Sequence, residues 1–307
     1  GLGPQTAAVV HEQLLGHLAG LSTSAPGVVA ARAHHALGAV SRVGPEAAAA
    51  HVLAAGHAAA EAGGFEDAVR LAEQALTLDA GRRYEALVLL GTALFNVEEP
   101  ERSESVLLEA AAVAEARGDG VGMARALLEI GGGRLVDVRT DRIAARLGDA
   151  LRLVDESDLM VRADLLSRKA DMLADPDEVE IAAREGWHLA LRCGDPEVLV
   201  TTGTRLLLNG SAWMGPDERR AVVEVLGRCD DRELSADARM NRRAAGLLVL
   251  LEEGRLDEAA EALAALPVDF EQRPLVVRIR EPVQVLLSLL RGRLDDAGEV
   301  SAWLVAE

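Results

Sequence analysis

Gly63-Gly64-Phe65-Glu66-Asp67-Ala68 returns in kind as Gly254-Arg255-Leu256-Asp257-Glu258-Ala259 and as Gly292-Arg293-Leu294-Asp295-Asp296-Ala297. Each copy follows a long stretch with apolar residues at helical spacing and opens a second one. Every residue of the copy suits the tight turn of a helical hairpin. The glycine allows a positive φ. The Phe or Leu packs beneath the turn, and the acidic pair sits at the positive end of the next helix. The alanine lets two helix backbones approach closely. A chain that repeats this turn reads as stacked helical hairpins.

Composition agrees. Ala supplies 55 of the 307 residues and Leu 48, together one third, whereas there are seven aromatic residues. Ala and Leu favour helices, while strands favour aromatic and β-branched residues. The expected fold class is therefore all-α. The longest weakly interrupted apolar stretch, Ala47 to Ala60, holds His51, Gly56 and His57. It falls short of the roughly 18 residues a membrane span requires. No basic segment leads into an apolar run at the start, so a cytoplasmic protein without a membrane partner is expected.

Charge and rare residues exclude several function classes. A net charge of −18 repels phosphate backbones, so direct nucleic-acid binding is not expected. Lys169 is the only lysine, in Leu166-Ser167-Arg168-Lys169-Ala170, with no glycine loop before it. A P-loop and a Schiff-base site both need a lysine in its proper setting, so this stretch is no NTPase by itself. The other 31 basic residues are Arg, a bias of GC-rich bacterial coding sequence. Cys193 and Cys229 are too few for a disulfide scaffold and read as reduced thiols. Asp230-Asp231 should raise the Cys229 thiol pKa rather than lower it.

Extending the turn register outward gives units of 34 residues. From Ala49, the residues Gly56, Gly63, Phe65, Ala68 and Ala75 fall at positions 8, 15, 17, 20 and 27. From Tyr84, Leu90-Gly91 and Ala110 fall at positions 7, 8 and 27, without a turn glycine and with Pro100 at 17. A third unit begins near Ala124 and breaks after Ile130-Gly131. These small residues resemble the tetratricopeptide repeat (TPR), which implies a solenoid of antiparallel helical hairpins. Position 32, usually Pro in that family, is Ala80 and Glu115 here. The expected organisation is N-terminal helices over 1–48, TPR-like repeats over 49–130, irregular hairpins over 131–234 and truncated TPR-like hairpins over 235–307. Helices are expected at 141–154, 158–173, 177–193, 196–208, 216–229, 235–253, 256–266, 275–290 and 294–305. Asp175-Pro176, Asp195-Pro196 and Gly215-Pro216 mark helix starts.

Candidate sites are few. His11-Glu12 opens like a helical zinc motif, but Leu15 stands four residues on where the second His belongs. No metal, no cofactor and no catalytic residues are expected, and the chain does not read as an enzyme. Gly118-Asp119-Gly120-Val121-Gly122 reads as a turn between repeats. A solenoid offers its inner face instead. The TPR register places Leu53, His57, Val88, Thr92 and Phe95 there. In the middle hairpins Thr201, Thr202, Arg205 and Asn209 share a face, with Trp213 just beyond and Arg242 as a further cation. The implied partner is a protein, another domain of the same chain or a small effector, with homo-oligomerisation left open.

Two stretches go beyond a generic repeat. One runs through Arg32-Ala33-His34-His35-Ala36-Leu37, Gly44-Pro45-Glu46-Ala47 and Ala58-Ala59-Ala60-Glu61-Ala62-Gly63 to Glu66-Asp67-Ala68-Val69-Arg70-Leu71. The other comprises Arg184-Glu185-Gly186-Trp187, Ala190-Leu191-Arg192-Cys193-Gly194-Asp195-Pro196 and Asn209-Gly210-Ser211-Ala212-Trp213-Met214-Gly215-Pro216. Together they resemble the helical tails of large actinobacterial ATP-binding regulators of the LuxR type, and of related antibiotic regulatory proteins. The resemblance implies a sensor module in a transcription regulator of secondary metabolism. ATP and DNA binding would then belong to a larger parent chain, with residues 1–48 ending its winged-helix part. A free-standing TPR adaptor is the alternative.

Overall fold

The computed structural model describes residues 3–21, 25–130, 141–266 and 283–293. The fold is all-α, and no strand occurs among the described residues. The chain divides into two units. One comprises Gly1–Gly132 with Asp149–Asp155, the other Gly133–Gly148 with Glu156–Glu307.

The first unit contains α1 (Pro4–Ala19), α2 (Pro26–Gly38), α3 (Val40–Val43), α4 (Pro45–Glu61), α5 (Phe65–Leu78), α6 (Arg83–Asn96), α7 (Pro100–Ala116) and α8 (Gly120–Leu128). The end of α9 (Asp141–Leu153) joins it. Each helix from α4 to α8 packs on the next. The second unit contains α10 (Leu159–Met172), α11 (Pro176–Cys193), α12 (Pro196–Asn209), α13 (Pro216–Gly227), α14 (Ala236–Glu252) and α15 (Leu256–Ala264). Residues 283–290 form α16. Here α12 packs on α10, α11, α13 and α14.

One turn chemistry recurs through both units. Gly63, Gly254 and Gly292 have φ of +80°, +71° and +73°, the left-handed region expected of the quoted repeat. In each, the next residue's N–H donates to the carbonyl five positions back: Gly64 to Ala59 at 2.8 Å, Arg255 to Leu250 at 2.9 Å, and Arg293 to Ser288 at 2.8 Å. This is the Schellman bond that satisfies a helix C-terminus. Asp119 to Ala114 repeats it after Gly118. So does Glu99 to Leu94, after Glu98 at φ 64°. The repeat that lacks its turn glycine thus keeps the turn and places a glutamate in the left-handed region, at a cost of about 1 kcal/mol. Leu294 to Ala297 and the helix expected at 294–305 lie outside the described residues, as does Gly131-Gly132-Gly133-Arg134.

Helix starts follow the predicted capping. Asp175 accepts from the N–H groups of Asp177 and Glu178, Asp195 from Val198, and Asp119 from Gly122. The Gly118–Gly122 stretch is accordingly a capped inter-helix turn. Small residues bring helices together where the register places them. A Cβ on Gly56 would lie 2.6 Å from Leu89 Cδ2, and one on Gly91 2.5 Å from Leu107 Cγ. Ala68, Ala75 and Ala110 are fully buried. The core is therefore built of alanine and leucine in close helix contact rather than of large aromatic rings.

Candidate functional site

The predicted inner-face residues meet different fates. Leu53 is 5% exposed and belongs to the core with Val52, Leu89 and Leu94. Its placement on an open face is corrected: the register gives its direction around α4, but that direction is buried in the core. His57 is exposed, and Val88 and Phe95 are half-buried. Thr92 donates its hydroxyl to the Val88 carbonyl of its own helix at 3.0 Å. Burial pushes the neighbouring Glu129 carboxyl above its usual range, against the pull of Arg125 and of Thr92 itself.

In the second unit the structure gathers two of the predicted residues, Arg205 and Asn209, into a polar seam. Asp171 on α10 is its hub. Asn209 Nδ2 donates to Asp171 Oδ1 at 2.9 Å, and Arg205 Nε lies 3.3 Å from Oδ2. Arg168, only 5% exposed, reaches the same Oδ2 at 3.4 Å. One turn earlier on α10, burial raises the Asp164 carboxyl to about 6, with Arg205 pulling it down and Asp195 pushing it up. Among the described residues the Asp164 Oδ1 and Thr202 Oγ1 atoms are buried without a hydrogen-bond partner, and Thr201, next to Thr202 in sequence, is half-buried. A buried polar atom left unpaired costs about 1–3 kcal/mol. Such groups are out of place in a face meant only for packing.

Asp164 and Asp171, the carboxylates of the α10 half, were not among the expected sites. Asp164, Arg168 and Asp171 stand at i, i+4 and i+7, one helix face, and that spacing was the available signal. The irregular middle hairpins carry no 34-residue register to align α10 with α12.

Trp213 and Arg242 are already engaged. Arg184 lies over the Trp213 ring, its Cζ 4.6 Å from the centroid, and pairs with Glu180 and Glu218. A cation in this position gains about 0.5–1 kcal/mol from the ring. Arg242 bonds the Cys229 carbonyl and pairs with Asp231, so it ties down the turn before α14. Cys193 and Cys229 are free thiols. The Cys229 pKa is raised, as expected, but burial is its main cause. Arg242 opposes it, and Glu233 is the carboxylate that adds to it.

A second cluster lies in the first unit. His11 on α1 and His34 and His35 on α2 place their rings within 5.1–5.5 Å of one another, centroid to centroid. Nδ1 of His11 and Nδ1 of His35 are 2.8 Å apart, one donating to the other. Burial, then the charges of His34 and His11, lower the His35 pKa.

What the described residues define is an all-helical scaffold of stacked hairpins with one polar seam. No protein-family model matches the chain, and no curated protein is a significant match. No helix among the described residues is long and apolar enough to cross a membrane.

Proposed function

We propose that this chain is a TPR-like recognition module of a bacterial transcription regulator of secondary metabolism, and that its α10–α12 seam receives a partner segment or a small effector. The seam carries the reading. Asp164, Arg168, Asp171, Arg205 and Asn209 bring both signs of charge into one half-buried strip. Carboxylates and guanidinium groups held in this way are suited to read amide, carboxylate or hydroxyl groups of a ligand. The acidic balance of the chain, at −18, fits a sensing segment rather than one that grips DNA. The assignment to a regulator rests on the resemblance of the Arg32–Leu71 and Arg184–Pro216 stretches, with ATP and DNA handled elsewhere in the parent chain.

The intact mass of the native gene product tests this assignment. The regulator reading requires a product well above 32.4 kDa that yields a peptide with a Gly-Lys-Ser/Thr loop. A native product of 32.4 kDa would overturn it and leave the free-standing adaptor.

A further inference from the structure

We propose that His11, His34 and His35 form a binding site for one divalent transition-metal ion, zinc being the reference case, that pins α1 to α2. One ligand atom from each of the three rings lies within 4.8 Å of the other two. Two nitrogens bound to one tetrahedral zinc at about 2.0–2.1 Å stand about 3.4 Å apart. The 2.8 Å pair of His11 and His35 therefore needs to part by only about half an ångström. The bond between them shows that one Nδ1 carries the hydrogen and the other a lone pair. An ion between the two Nδ1 atoms requires the donor ring to carry its hydrogen on Nε2 instead, which frees both Nδ1 lone pairs.

The scaffold around the cluster is set. His11 lies against Gly38, where a Cβ would come 2.5 Å from the ring, so glycine makes room for the imidazole. Arg32 donates to the Leu18 and Leu21 carbonyls at 2.8 and 2.6 Å, which holds α2 against the end of α1. Glu12, next to His11, pairs with Arg42. The three imidazoles are then the nitrogen donors that face one another, a ligand set that suits zinc, copper or nickel rather than magnesium or calcium. His34 is exposed, which gives an ion an entry path. His35 also borders an open cleft of about 620 Å³ walled by Leu14, Leu18 and Leu21. Three protein ligands leave a fourth tetrahedral position for water or a small anion from that cleft, the open-site pattern.

Zinc titration of the full chain against a chromophoric chelator tests the site, with cobalt as a spectroscopic stand-in. The expected result is one saturable equivalent, the visible bands of four-coordinate cobalt, and a zinc-dependent rise in Tm. His34→Ala, at an exposed position, should leave the metal-free Tm unchanged and weaken zinc binding at least about tenfold. His188→Ala, on an exposed face of α11, should bind as the parent does. The absence of one saturable equivalent, or an unchanged affinity in His34→Ala, would overturn the proposal.

Discussion

Asp164→Asn tests the seam through its own energetics. Burial raises the Asp164 carboxyl from 3.8 to about 6. A shift of this size corresponds to about 3 kcal/mol at roughly 1.4 kcal/mol per unit. Asp164 is half-buried, and solvent screening reduces the expected effect to about 1–2 kcal/mol. The sign follows from proton uptake. Between pH 3.8 and about 6 the folded chain keeps a proton that the unfolded chain has released. Stability is therefore lost as the pH rises through that window. Asparagine keeps the shape and carries no charge. The variant should match the parent near the lower end of the window and exceed it by about 1–2 kcal/mol at neutral pH. Urea unfolding followed by far-ultraviolet circular dichroism at a series of pH values measures the difference. A variant less stable at neutral pH, or a difference that stays constant across the series, would refute a carboxylate held at a stability cost. A charge kept in the seam against that cost marks Asp164 as a candidate for recognition.

Four further outcomes follow from the helix contacts, a turn and a cap. Gly91→Ala should destabilise by about 1–3 kcal/mol, because the new methyl meets fully buried Leu107. Gly16→Ala, with nothing nearby, should instead stabilise by about 0.5–1 kcal/mol, and thermal melting distinguishes the two signs. Glu98→Gly should raise the Tm by relieving about 1 kcal/mol of left-handed strain at the turn; a lower Tm would show that Glu98 is not strained there. Asp195→Ala removes the cap on α12 and should cost about 1 kcal/mol in chemical denaturation; an unchanged midpoint would show that the cap contributes nothing.

The all-helical hairpin architecture was legible because its turns are chemically demanding. A Schellman turn asks for a residue that tolerates positive φ, and Gly63, Gly254 and Gly292 announce it. The helix starts at Asp175-Pro176 and Asp195-Pro196 were equally legible, since an N-cap carboxylate followed by proline is a local signal. Glu98 was not legible as a turn residue, because the surrounding hairpin imposes its backbone against the residue's own preference. Leu53 shows another limit. Helical periodicity gives the direction a side chain takes, but not whether neighbouring helices lie over it. Arg205 and Asn209 could be placed on one face of α12, yet their partner Asp171 depends on how α10 docks. The histidine cluster is further from reach, since His11 meets His35 across 24 residues through the packing of α1 on α2. Its traces were the adjacent pair His34-His35 and the His11-Glu12 opening, which the missing second His four residues on had set aside.

The most direct test of the seam as a recognition surface is the transcript profile of the source organism with the Arg205→Ala/Asn209→Ala variant in place of the native gene. If the seam receives the partner or effector of a transcription regulator, the variant should accumulate normally and shift the same transcripts that deletion of the gene shifts. A profile identical to the parent's, when deletion changes it, would contradict the seam's role. If deletion also leaves transcription unchanged, the regulator assignment itself is contradicted.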